Sequence, residues 1–180
     1  SMSGIIGVSP NMKSGIVGGF AEGQLVQSEV YSSNDGSGAY GTTIPMDASV
    51  PTNSEGSQIF TLAFTPKSAS NTLLIDGLVY AGGYQSGSTD AQVLTVSLFK
   101  DSDTSPITGG SIKLYHAPDT FTQPIPFRGK LTSGTTSEIE FKVRLGANTS
   151  SIYYNRTRNA QYFGGLLHSR LLIQEFQGTL

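Results

Sequence analysis

Two histidines, His116 and His168, are the side chains of this sequence best suited to move protons near neutral pH. A hydrolase of the triad type needs a nucleophile, a histidine base and an orienting acid in one place. His168 precedes Ser169, but neighbouring residues of a strand point to opposite faces, so these two cannot share a proton. His116 lies near Asp119 in the turn-like "YHAPDT", and neither histidine stands in a G-x-S-x-G elbow. The sequence therefore favours structural or surface roles for both.

A pair of carboxylates could cleave a glycosidic bond if the two groups flanked a cleft. Glu138 and Glu140 share one face of a predicted strand, about 7 Å apart by strand geometry. Lys142 and Arg144 lie on the same face, which is typical of ordinary solvated charge. A glycosidase of β fold stays an alternative.

Two glycine- or aspartate-rich stretches match the opening of known ligand loops. The stretch "GSGAYG" (36–41) has the G-x-G-x-x-G spacing of dinucleotide sites, but "TTIPMD" follows and does not open a helix. We predict a hairpin turn there. The stretch "DSDTSP" (101–106) begins like a calcium loop, yet Pro106 and Ile112 stand where that loop needs glycine and glutamate. We predict a polar turn, and the sequence indicates no cofactor and no metal.

Composition narrows the class of protein. A length of 180 residues suits one domain. The net charge of −2 gives no basic footprint for nucleic acid, so we expect no nucleic-acid partner. The absence of cysteine removes disulfides and thiolate catalysis. The longest apolar runs are far shorter than the ~20 residues that span a bilayer, so we expect no membrane insertion.

The chain divides into two parts. Residues 1–23 form a glycine-rich N-terminal arm in which "SGIIG" returns as "SGIVG", and the leading Ser1-Met2 has the look of an expression remnant. Residues 24–180 form a β domain of short strands separated by turn compositions. The candidate strands are 24–31, 40–44, 58–64, 72–81, 91–99, 111–116, 125–131, 137–145, 150–155 and 169–176. We predict an all-β, jelly-roll-like antiparallel β-sandwich.

Apolar periodicity within the strands indicates which faces are buried. The stretch "SEIEFKVRL" (137–145) alternates charged and apolar residues, which predicts one wet face and one core face. By contrast, "TLLIDGLVY" (72–80) and "YFGGLL" (162–167) are apolar at both parities and predict strands covered on both sides. Cover of that kind comes from a second sheet or from another subunit.

Four stretches in a fixed order resemble a domain of tailed-bacteriophage virion proteins, notably tail fibres and related appendages. They are "FTPKSASNTLLIDGLVYA" (64–81), "LTVSLFKDSD" (94–103), "SGTTSEIEFKVRLGANTSSIYYN" (133–155) and "FGGLLHSRLLIQEF" (163–176). The order is the more specific part of this resemblance, which covers about 60% of the chain, from Phe64 to Phe176. The chain departs from long fibres because it lacks a coiled-coil or collagen-like shaft.

The same segment is similar to the jelly roll of the tumour-necrosis-factor and complement globular-head families, which implies a homotrimer packed through aromatic strands. The aromatic residues that we expect at such an interface are Tyr80, Tyr153, Tyr162 and Phe163. Two loops, 81–90 and 154–159, combine tyrosine with amide and guanidinium groups that suit sugars. The candidate receptor contacts in them are Tyr84, Gln85, Asn155, Arg156 and Arg158.

These features predict a non-enzymatic phage virion structural protein, a component of a tail fibre or appendage with a role in host attachment. Its expected partners are copies of itself, other virion proteins and a host surface glycan or protein. The alternatives are a capsid decoration protein, a secreted trimeric ligand of the tumour-necrosis-factor type and a carbohydrate-active enzyme.

Overall fold

The computed structural model describes residues 21–36, 39–84, 92–114, 122–149 and 151–180. Ten strands run through these residues, and a single 3-10 turn covers Tyr162–Gly165. The strands are β1 (Leu25–Ser33), β2 (Ala39–Tyr40), β3 (Ser57–Phe64), β4 (Thr72–Gly83), β5 (Gln92–Lys100), β6 (Thr108–Leu114), β7 (Thr122–Thr132), β8 (Ile139–Ala147), β9 (Ile152–Tyr154) and β10 (Ser169–Phe176). The all-β prediction is confirmed.

Two antiparallel sheets face each other. The larger sheet has the order β1-β10-β4, with β7 on the other side of β4 and β9 and β2 continuing beyond the end of β10. The smaller sheet has the order β3-β8-β5-β6. The first long strand therefore pairs with the last. Most of the long strands are followed by a strand of the other sheet, whereas β5 and β6 are neighbours in the smaller sheet, as in two Greek keys. This strand order is that of a jelly roll.

The core lies between the sheets and follows from strict alternation. In β8 the apolar side chains Ile139, Phe141, Val143 and Leu145 are fully buried, whereas the charged residues between them are not, as predicted from the sequence. In β4 the ring of Phe127 from β7 lies across Gly77, where a Cβ atom would be 2.0 Å from the ring. Only glycine leaves room for this ring in the core.

One side of the sandwich is closed by β6 and β7, which belong to different sheets. The Thr108 hydroxyl donates to the Arg128 carbonyl at 2.6 Å. A Cβ atom on Gly110 would lie 2.4 Å from the Pro126 carbonyl oxygen, so the two backbones approach each other closely. The glycine of β6 makes this closure possible.

The connection between β2 and β3 covers the outer face of the smaller sheet. Arg144 of β8 donates to the carbonyls of Glu55 and Gly56, both at 2.7 Å. The buried side chain of Ile44 fills the space above Gly146, where a Cβ atom would be 2.4 Å from it. The charged face of "SEIEFKVRL" is thus partly covered by the chain's own backbone carbonyls.

A buried carboxylate joins the last strand to the turn between β3 and β4. Glu175 is completely buried and accepts hydrogen bonds from the backbone N–H groups of Lys67 and Ser68 at 2.9 and 3.2 Å. The side-chain amides of Asn71 and Gln27 also donate to it, at 2.6 and 2.7 Å. Four donors from two segments, β1 and the turn between β3 and β4, therefore satisfy one carboxylate.

The structure contradicts two predictions made from the sequence for turns and strands, and it confirms a third. The stretch 162–167 is not a buried strand, because its described side chains lie on an exposed turn. The stretch 36–41 does not form a hairpin, because β1 and β2 pair with different strands, although residues 37 and 38 lie outside the described residues. The "DSDTSP" stretch is the polar turn between β5 and β6, as predicted.

Glu175→Gln is expected to destabilise the protein by about 2–3 kcal/mol, because a neutral amide loses the charge-assisted bonds and turns one donor toward Asn71 or Gln27. Urea unfolding followed by tyrosine fluorescence measures this change. The matched control is Glu138→Gln, an exposed position at which we expect less than about 0.5 kcal/mol. Equal stability of the two variants would contradict the structural role of Glu175.

Candidate functional site

One end of the sandwich gathers the residues that the sequence analysis proposed for interfaces and receptor contact. We define the β9 end as residues 33–36, 80–84 and 152–168. These segments meet because β9 pairs with the end of β4 at Ala81–Gly83, and the chain after β1 passes beside them. Gln85 lies outside the described residues.

Asn155 is the centre of the β9 end. It adopts a positive φ of 53°, a conformation that asparagine tolerates better than most residues, and its side chain is buried. Its amide nitrogen donates to the carbonyls of Ser33 and Asp35 at 2.9 and 3.1 Å. Its amide oxygen accepts from the Ser169 hydroxyl at 2.6 Å, and that hydroxyl accepts from the Tyr80 backbone N–H at 2.9 Å. The prediction that Asn155 lies exposed for receptor contact is wrong, because the fold encloses its amide.

Arg156 is also committed to the fold. Its guanidinium donates to the carbonyls of Gly36, Thr157 and Arg158 at distances of 3.0 to 3.3 Å. A half-buried arginine that bonds three backbone carbonyls fixes the shape of the loop after β9. The guanidinium of Arg156 therefore stabilises this loop. That Arg156 contacts a receptor stays a prediction.

Arg158 and Tyr84 connect the two loops that were predicted separately. The Arg158 guanidinium carbon lies 3.8 Å from the centre of the Tyr84 ring, a cation–π arrangement. Arg158 is exposed and Tyr84 is half-buried. The pair presents a positive charge and an aromatic edge at the surface of the β9 end.

The turn at Tyr162–Gly165 carries two exposed apolar side chains, Phe163 at 76% and Leu166 at 73% exposure. Phe163 has a φ of 58°, which is costly for a bulky residue and is followed by two glycines that also have positive φ. Asn34 holds the turn by donating to the Gly165 carbonyl at 3.0 Å, and Gln161 donates to the Asn34 carbonyl. The fold thus maintains a strained turn that exposes an aromatic ring.

Tyr80 and Tyr153 lie on the outer face of the larger sheet, as alternation with the buried Val79, Ala81 and Tyr154 requires. Both are half-buried. Phe163 is exposed on the turn Tyr162–Gly165. The trimer interface that the aromatics predict stays a prediction, and Tyr162 is described for its backbone alone.

The structure brings few chemically reactive groups together. The His168 Nδ1 atom lies 3.4 Å from the Ser32 hydroxyl, whereas the Ser169 hydroxyl is occupied by Asn155. His116 lies outside the described residues. Glu140 forms an ion pair with Lys142 at 3.0 Å, which is consistent with a solvated face. Within the described ranges, no three His, Asp or Glu residues converge as metal ligands, and no helix is long and apolar enough to cross a membrane.

A charged groove on the outer face of the larger sheet was not predicted from the sequence. Asp76 pairs with Arg128 at 2.9 Å and with Arg170 at 3.5 Å, above a floor that includes Leu78 and Pro126. The signal was present, because an aspartate interrupts an otherwise apolar stretch at residues 72–80. Its carboxylate lies on the outer face, so that stretch is not uniformly apolar on both sides.

No family model matches the chain, and neither does any curated protein. Among solved structures, the chain is similar to infectious bursal disease virus VP2 in a subviral particle, with 14% identity and a TM-score of 0.38. It is also similar to a structure of the Gx strain of that virus, with 13% identity and a TM-score of 0.35. In both cases 97% of this chain aligns with 42% of the viral chain, so it spans less than half of their length. The fold class rests on the strand order.

Asn155→Asp is expected to destabilise the protein by about 2–3 kcal/mol, because a carboxylate cannot donate to the Ser33 and Asp35 carbonyls. Thermal unfolding by circular dichroism measures the change, with the exposed Asn159→Asp as control. A melting temperature equal to that of the control would contradict the role of Asn155.

The hydroxyl of Tyr154 is buried, and burial together with the nearby Tyr31 raises the pKa of Tyr154. The unfolded chain loses this proton from about pH 10, where the folded protein keeps it. Stability is therefore complete below pH 10 and falls as the pH rises above it.

Tyr154→Phe removes this contribution, so the stability of the variant is expected to fall less steeply between pH 9 and about pH 11 than that of the parent. Urea unfolding at several pH values measures the two slopes. Identical slopes would show that Tyr154 ionises equally in both states.

Proposed function

We propose that this chain is a non-enzymatic virion structural protein, a component of a tail fibre or related appendage of a tailed bacteriophage. In this proposal three copies associate through the turn of the β9 end that carries Phe163 and Leu166, and the Tyr84–Arg158 pair of the same end binds the host surface. The observation that carries the proposal is the exposure of Phe163 and Leu166 on a turn that the fold holds in place.

Exposed apolar side chains of this size favour a protein contact. A single exposed leucine is ordinary on a monomer, but here an aromatic and an aliphatic side chain lie three residues apart. Backbone strain is kept where surrounding bonds overdetermine it, which is common at binding sites. Asn34 and Gln161 supply those bonds. Covering both side chains with another copy would remove them from water.

Contacts around Glu175 join stretches of sequence on which the resemblance to phage appendage proteins is based. The "TPKSASN" turn donates to Glu175 of "SRLLIQEF", and Ser133 of the "LTSG" turn donates to the Ser68 carbonyl at 2.5 Å. Stretches that are far apart in sequence therefore form one contact network. This supports reading their order as the signature of one domain.

Host contact is proposed for the Tyr84–Arg158 pair. Aromatic rings and guanidinium groups bind sugars and anionic groups through stacking and charge-assisted hydrogen bonds. The two side chains lie on loops at one end of a rigid sandwich, the usual position of binding residues on β scaffolds.

Self-association is tested with the double variant Phe163→Ser and Leu166→Ser. We expect the parent to be a trimer at micromolar concentration by light scattering and the variant to be a monomer, because the contact loses its apolar centre. The matched control is Met46→Ser with Val50→Ser, two exposed apolar residues of the connection between β2 and β3. A monomeric parent contradicts the proposal.

Host attachment is tested with Arg158→Ala against Arg128→Ala, an equally charged and exposed control on a different surface. The fluorescently labelled parent is expected to bind susceptible bacterial cells and to block infection. We expect Arg158→Ala to weaken cell binding about tenfold or more and the control to bind like the parent. Absence of cell binding and of blocking by the parent would refute this part of the proposal.

A further inference from the structure

Among the described residues, the first strand of the larger sheet has a partner strand on one of its two edges only. β1 pairs with β10 along Leu25–Ser33, and it is the terminal strand of its sheet in the part of the chain that the structure describes. The opposite side of the sandwich is closed, because β6 and β7 lie against each other. β1 meets β3 through side chains, with the Tyr31 ring stacked on Phe60 at 4.2 Å. The backbone groups on the outer edge of β1 are thus a template for another strand.

The side chains of β1 fit such pairing. Ser28, Glu29 and Val30 are all exposed, so the two sheets cover neither face of the strand at its middle. Val30 is 62% exposed and lies on the outer face, opposite Leu172 of β10. Alternation places Glu29 on the same face as Tyr31, the core-facing side, where it nevertheless reaches solvent. An inward-pointing charge limits uncontrolled pairing at an open edge, so a partner strand must place a residue other than a second carboxylate opposite Glu29.

We propose that the open edge of β1 pairs antiparallel with β1 of a second copy, about a two-fold axis at Val30. This contact goes beyond the β9 end and does not depend on it. The two larger sheets then continue into one sheet across the axis.

The register follows from charge and face. Directly opposite residues must share a face, so the axis passes through a residue and not between two residues. An axis at Glu29 would place two carboxylates opposite each other, which is destabilising. An axis at Val30 places Val30 opposite its own copy, Glu29 opposite Tyr31 and Ser28 opposite Ser32. The one charge of the strand then faces an aromatic ring, and the most exposed apolar side chain of the strand becomes covered.

An axis at Ser28 is less favourable than one at Val30. It would leave Val30 opposite Val26, close to the irregularity between Leu25 and Gln27 where the β1–β10 register shifts. It would also place Glu29 opposite Gln27, which already donates to Glu175. The Val30 register keeps the regular part of the strand at the centre of the contact.

The absence of cysteine makes the register directly testable. Opposite residues of an antiparallel pair have Cα atoms about 4.5–5.5 Å apart, within the range of a disulfide. Val30→Cys is therefore expected to form a disulfide-linked dimer under mild oxidation, about tenfold faster or more than the exposed control Ser137→Cys. Ser28→Cys and Ser32→Cys should each crosslink slowly alone but rapidly when the two variants are mixed.

Each outcome decides the proposal. Crosslinking of Val30→Cys at the rate of Ser137→Cys overturns it, as does rapid self-crosslinking of Ser28→Cys, which would place the axis at Ser28. A parallel test adds Val30→Lys to both serine-to-cysteine variants, and the mixed crosslink is then expected to disappear. Because Val30 is exposed, this variant should fold like the parent, which circular dichroism checks. If Phe163→Ser with Leu166→Ser dissolves the trimer while Val30→Cys still crosslinks, the two contacts are independent.

Discussion

The structure depends on one buried carboxylate. Glu175 lies in the last strand, on the face that also carries the core residues Leu171 and Ile173, and the fold surrounds it with hydrogen-bond donors where a core would otherwise offer carbon atoms. Leaving a buried charge without partners costs several kcal/mol, so the turn after β3 must take the conformation that directs its N–H groups inward. The same turn then receives Ser133 and Gly134 from the connection after β7. One carboxylate thereby links β1, β10 and the connection after β3, and the connection after β7 is bound to that turn in its place.

At the opposite end of the sandwich, the side-chain amide of Asn155 likewise holds separate segments together. Asn155 ties the chain after β1, the end of β4 and the start of β10 into one unit through neutral hydrogen bonds. The loops that extend from this unit carry the exposed Phe163, Leu166 and Arg158. Because this frame is rigid, side chains that it presents at one end lose less conformational entropy when they form a contact. Some of the residues at the β9 end therefore stabilise the fold, as Asn155 does, whereas others, such as Phe163, are exposed to solvent.

Sequence alone predicted the parts of the fold that follow from alternation. The core face of β8 and the all-β class were evident because side chains alternate with a period of two and turns use distinctive residues. Strand number and spacing suggested a sandwich or jelly roll, and resemblance favoured the jelly roll, since pairing between distant strands leaves little local trace. The "YFGGLL" stretch was misread because apolar residues signal burial only where the backbone is extended, and three consecutive positive φ angles place this segment on a turn. Asn155 was misread for a related reason, because a polar residue in a turn-like stretch can equally well fill a buried position that requires both donor and acceptor.

The burial of Glu175 could have been predicted from the sequence. In "SRLLIQEF" a glutamate falls in phase with Leu171 and Ile173, which marks a charge on a core face, and the asparagine- and serine-rich turn after β3 offers donors. Native-state hydrogen exchange of the Lys67 and Ser68 amides measures directly whether Glu175 holds the turn after β3. If the carboxylate locks the turn, these two loop amides exchange only through global unfolding, as slowly as those at the centre of β4. Exchange at the rate of unprotected loop amides would show that Glu175 does not hold the turn, and the account would be contradicted.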